Sequence, residues 1–89
     1  MNKLPSLRLE IEKLHQDLLQ LVLRRQKLVQ QIWIEKQAHK IDLTDTEREH
    51  FLIHQFDQYP ELQQDEAMKQ AYHNVVKSII AENKKYLKK

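Results

Sequence analysis

One charged residue in an otherwise apolar seam limits what this chain can fold into. Leu7, Ile11, Leu14, Leu18, Leu21, Arg25, Leu28 and Ile32 recur at alternating steps of four and three, the stripe of a helix packed against other helices. Arg25 sits where a hydrophobic residue belongs. A cation facing a bundle interior without a partner costs on the order of several kcal/mol, so something anionic, a side chain or a ligand, must meet it. Lys36 lies eleven residues further on, which at about 100° per residue puts it within roughly 20° of the same face and about 16 Å along the axis. Two long cations aimed into one interior describe the wall of an anion-binding cavity.

The chain has 89 residues, enough for one small domain over residues 1–89. It has no glycine and no cysteine. The first argues against tight hairpins that need positive φ, and the second removes disulfides, zinc–thiolate sites and thiol nucleophiles. Charged residues make up 31% and aromatic residues 7% of the chain, a composition that suits an all-α protein. A net charge of only +2 gives no strong pull toward nucleic acid. No apolar run is long enough to cross a membrane, and no charged-then-apolar leader opens the chain. The expectation is a cytoplasmic protein with neither a nucleic-acid nor a membrane partner.

Three helices, long, short and long, are expected. Pro5 is tolerated in a first helical turn, and from there the apolar period runs unbroken to about His39. A helix of about 33 residues is about 50 Å long, longer than a compact domain of this size is wide. The remaining segments are too short to cover its stripe, so a second copy of the chain is expected to cover it by two-fold pairing. Ala38 to Leu43 reads as a loop. Thr44 followed by Glu47 forms a capping box and starts the second helix, which runs to about Gln58. Tyr59-Pro60 is the next break, and Pro60 opens a third helix that continues to about Leu87. Lys84, Lys85, Lys88 and Lys89 suit its C-terminus and read as a solvated end.

On the short helix Asp45, Arg48, Glu49, Leu52 and Phe56 fall within an arc of roughly 100°. The polar half continues the apolar half, so these charges are expected to face inward or toward a cleft; the plainer reading is a surface cluster with capping value. The set holds no nucleophile–base dyad. His50 and His54 are four apart, but the spacing offers no third ligand, so they read as a half-exposed helix face and no metal is expected.

These residues resemble the all-helical chorismate mutases. The family pattern is Leu-Arg early in a long first helix, Arg-Arg-x-x-Leu further along it, a lysine, a loop, and Asp-x-x-Arg-Glu opening a short helix. The matching pieces here are Leu7-Arg8, Arg24-Arg25-Gln26-Lys27-Leu28, Lys36, and Asp45-Thr46-Glu47-Arg48-Glu49, with separations that match without a gap from Arg8 through Glu49. The resemblance implies a two-fold homodimer with interlocking first helices, and an isomerase of the shikimate pathway of aromatic amino acid biosynthesis that converts chorismate to prephenate. It implies no cofactor and leaves room for a partner enzyme of the same biosynthesis. By family analogy, Arg25 and the partner subunit's Arg8 bind the substrate carboxylates. Lys36 bridges a carboxylate and the ether oxygen, Glu49 with the Asp45 region holds the ring hydroxyl, and Arg48 supports that wall.

The family's third helix supplies a serine and, four residues later, a glutamine that donates to the ether oxygen. Matching on Val75-Val76 puts Ile79 and Asn83 at these positions; a one-residue shift puts Ser78 and Glu82 there. With Met68 at zero, the apolar residues centre near roughly 45°, Asn83 falls near 60° and Glu82 near −40°, which favours Asn83. Glu82 could donate only when protonated, so it would make activity rise in acid; Asn83 would not. Two other readings stand beside the mutase. Isochorismate pyruvate lyase shares the fold and the arginine and lysine frame, and the run Ile80-Ala81-Glu82-Asn83 with Tyr86 has some likeness to it. A non-catalytic helical dimer with a regulatory or scaffold role would pair Arg25 and Lys36 with carboxylates across the bundle.

Overall fold

The computed structural model describes residues 2–42 and 45–87, and these form four helices: α1 (Leu4–Ala38), α2 (Thr46–His54), α3 (Pro60–Gln63) and α4 (Glu66–Leu87). No strand occurs among the described residues, so the all-α expectation holds. Three expected helices have become four.

The first compact unit is residues 1–35, which holds most of α1. Asn2 Oδ1 accepts the Leu4 N–H at 2.9 Å, taking up one of the donors a helix start leaves open. None of the α1 side chains is buried. The seam leucines and isoleucines stand between 45% exposed at Leu18 and 62% at Leu14. A second set, Leu9, Leu19, Leu23 and Ile34, is also exposed and lies between about 120° and 200° around the helix from Leu7. The helix is therefore apolar on two nearly opposite sides, a pattern that calls for cover on both.

The second unit is residues 36–89. It opens with the end of α1, which closes in a Schellman motif. The Ile41 N–H donates to the Lys36 carbonyl at 2.8 Å and the Lys40 N–H to the Gln37 carbonyl at 3.3 Å. Lys40 takes the left-handed conformation at φ 56°. Glycine is the usual residue at that position, and this chain has none. The end of α1 thus falls where the loop was expected.

Asp45 caps α2, its Oδ1 accepting the Arg48 N–H at 2.8 Å. The capping box expected from Thr44 rests on a residue outside those described, as do the ends of the lysine cluster at Lys88 and Lys89. α2 stops at His54 rather than near Gln58. Turn bonds from the Asp57 N–H to the His54 carbonyl at 3.1 Å and from the Tyr59 N–H to the Phe56 carbonyl at 3.0 Å replace the helical ladder. Tyr59 is extended at φ −63°, ψ 136°, the conformation that a following proline favours.

The single third helix is corrected by Asp65. Its Oδ1 accepts the Met68 N–H at 3.0 Å, so it caps a new helix and separates α3 from α4. The run Gln63-Gln64-Asp65-Glu66 carries no apolar residue that would hold a continuous helix against a neighbour, and a short carboxylate competes well for open N–H groups. α4 packs against both α2 and α3. Phe56 stacks edge-on with Tyr59 and Tyr72 at ring separations of 5.2 and 6.2 Å, which seats α3 on the first half of α4.

Candidate functional site

α2 and α4 run antiparallel, tied at two places. At one end Glu49 of α2 forms an ion pair with Lys84 of α4. At the other, Asp57, just past α2, bonds His73 of α4. These ties set which faces of the two helices meet.

Asn83 lies beside Lys84 in sequence and is 6% exposed, one of only two buried residues among those described, with His73. Glu82 points away: it is exposed and pairs with Lys85 at 3.2 Å. Ile79 is half-buried and Ser78 is exposed. The α4 face turned into the fold therefore carries Ile79 and Asn83, while Ser78 and Glu82 lie outside it.

The three charges of α2 separate. Asp45 is exposed and uses one carboxylate oxygen as the helix cap. Arg48 is exposed, its guanidinium carbon 5.2 Å from the centre of the Phe51 ring, a cation–π contact. Only Glu49 is half-buried and reaches another element. Within the chain only Glu49 turns inward; the exposure of Asp45 and Arg48 and the cap made by Asp45 agree with the plainer reading, a surface cluster with capping value. The periodicity placed them on one arc, but the cap fixes Asp45 at the helix mouth and the Phe51 ring draws Arg48 outward. Lys84 is corrected too: it is not part of a solvated end but the partner of Glu49.

Lys36 is half-buried in the last turn of α1, its carbonyl locked in the closing motif. In the first unit, Arg8 is exposed and Arg25 half-buried. Burial pulls the Arg25 guanidinium below its ordinary value. This is the direction expected where a cation loses water, and arginine remains charged all the same.

A cluster that sequence spacing did not reveal lies at the other tie. His73 Nε2 donates to Asp57 Oδ1 at 2.6 Å and His54 Nδ1 donates to Asp57 Oδ2 at 3.0 Å; a carboxylate can only accept, which fixes the protons on these nitrogens. The hydrogen bond from His73, and then that from His54, holds the Asp57 carboxyl below the usual carboxylate range. His50 stacks on His54 with ring centroids 4.4 Å apart. The pair His50 and His54 was visible in the sequence. Asp57 and His73 join it only through the register of α2 on α4.

A family model described as chorismate mutase type II matches residues 7–88 of the chain. No curated protein and no solved structure matches it.

Proposed function

From the premise that the chain belongs to the chorismate mutase type II family, an all-helical family of isomerases that act on chorismate, we propose how it carries out the rearrangement to prephenate. Within one substrate molecule an ether C–O bond breaks, a C–C bond forms, and negative charge builds on the ether oxygen. The reaction needs a fixed chair-like conformer and donors aimed at that oxygen. It needs neither a nucleophile nor a general base.

In this reading Arg25 and Arg8 of the partner subunit grip the two carboxylates, since guanidinium forks match carboxylate geometry. Lys36 bridges a carboxylate and the ether oxygen, and Asn83 donates its amide to the same oxygen. Glu49 receives the ring hydroxyl, with Asp45 and Arg48 at the mouth of α2 supporting that wall. The burial of Asn83 carries the reading: a buried amide is poised to act where charge develops, and the adjacent Lys84 ties its helix to Glu49. Ile79 stands where the family has serine and cannot hydrogen-bond a carboxylate. Asn83 is one methylene shorter than the family glutamine, and a lost transition-state hydrogen bond costs about a hundredfold or more in rate, so turnover is slow for the family unless a partner enzyme completes the site.

The active unit proposed is an intertwined two-fold homodimer in the cytoplasm. The two-sided apolar surface of α1 supports it, because a helix threaded between two subunits is covered on both sides.

The test is to supply the purified chain with chorismate and, separately, isochorismate, following each by ultraviolet absorbance and identifying the product at acid and neutral pH. Prephenate at similar rates at both pH values is expected, with Arg25→Ala abolishing turnover while leaving the dimer intact. Prephenate in acid alone would move the donor to Glu82. Turnover of isochorismate alone would make the chain a lyase. No turnover and no stabilisation by either dianion would leave a non-catalytic dimer.

A further inference from the structure

We propose that His54, Asp57 and His73 form a binding site for one divalent transition-metal ion, zinc being the ion it fits, which clamps the end of α2 to α4. His73 lies about 15 Å along α4 from Asn83, and the rearrangement of chorismate asks nothing of it.

Two imidazoles and a carboxylate converge, each offering one ligand atom, and the three atoms lie within 4.8 Å of one another. A tetrahedral zinc ion with bonds of about 2.0–2.1 Å holds its ligand atoms about 3.3 Å apart. The two imidazole nitrogens already stand 2.6 and 3.0 Å from the carboxylate oxygens, so binding requires only that these gaps open by less than about an ångström while the two rings close on each other. The N₂O donor set suits zinc, cobalt, nickel or copper better than magnesium or calcium, which prefer all-oxygen shells. Three protein ligands leave a fourth position for water.

Burial is graded in the way a loadable site needs. The His73 side chain is only 7% exposed and fixed, Asp57 is 25% exposed, and His54 is 40% exposed. His73 and Asp57 supply a pre-positioned pair, and His54 supplies an entry path and room to rotate. The ion takes the place of the two bridging protons. Each neutral imidazole then carries its proton on its outer nitrogen, so neither ring loses a net proton. Both rings must be neutral to bind, so the site competes with acid.

Metal-free full-length protein, prepared with a chelator, is titrated with Co²⁺ as a visible spectroscopic probe and then with Zn²⁺ as competitor. One Co²⁺ per chain is expected, with d–d bands displaced by Zn²⁺, and Zn²⁺ is expected to raise Tm. His54→Gln, at the half-exposed position, is expected to keep the helical fold yet weaken binding by at least about tenfold, while His50→Gln retains one ion per chain. His73→Gln serves as a second variant, its fold checked by circular dichroism. Absence of saturable one-to-one binding in the parent chain, or binding unchanged in His54→Gln, would overturn the proposal in favour of a plain hydrogen-bonded trio. Neither readout involves chorismate, so the result does not depend on the mutase reading.

Discussion

Asn83 and Glu82 are neighbours in sequence with opposite surroundings, one buried and one paired with Lys85 in solvent. If the buried amide is the donor to the ether oxygen, Asn83→Ala lowers kcat by about a hundredfold. Glu82→Ala, a surface change, stays within about twofold of the parent. Steady-state kinetics on the two variants checks this, and equal losses would place the donor elsewhere. An amide does not titrate, so the parent's kcat stays level from neutral pH into mild acid; a pH–rate profile reads it directly. The order of the two residues around the helix was legible from periodicity alone, because the apolar residues from Met68 to Ile80 define the inner face. The fate of Asp45 and Arg48 was legible only as a choice between an inward arc and a capping surface cluster. Capping and a contact with Phe51 are decided by local geometry at a helix mouth, and a helical-wheel argument does not contain it.

At the scale of the elements, α1 shows how much the apolar period determines and where it stops. Its extent and its end near the loop followed from an unbroken stripe. The closing motif did not, because a lysine in the left-handed position carries no sequence signal of the kind glycine does. Lys40→Gly relieves that conformation and is expected to stabilise the fold by about 0.5–1 kcal/mol, a rise of a few degrees in Tm at fixed protein concentration. A lower Tm would mean that the lysine side chain holds something in place. The break at Asp65 was missed for a related reason: capping by a single carboxylate within a polar run leaves no change of period to detect. The pairing of Glu49 with Lys84 was also out of reach, since the register of one helix on another is set by side-chain packing across sequence separations of thirty residues or more. A double-mutant cycle on Glu49→Gln and Lys84→Met is expected to give a stability coupling of about 0.5–1 kcal/mol. Additive effects would mean that the ion pair does not hold α4 against α2.

At the scale of the whole molecule, the proposed site draws Arg25 from one subunit and Arg8 from the other. Arg8→Ala and Arg25→Ala are each expected to be inactive as homodimers. Unfolded together in equal amounts and refolded, half the dimers are mixed, and one of the two sites in each mixed dimer has both arginines. Activity should return to about a quarter of the parent level on two-fold mixing statistics. No recovery would show that each site is complete within one chain.

No hydrophobic residue among those described is buried in the single chain, and α1 presents apolar side chains over most of its length. A chain with this surface has little core to collapse around by itself, so in the proposed homodimer gaining structure and gaining a partner would be one event. Refolding should then follow second-order kinetics, its half-time halving when protein concentration doubles. The catalyst would sense its own abundance: diluted below the dissociation constant of the dimer, it loses activity more steeply than in proportion to the amount of protein.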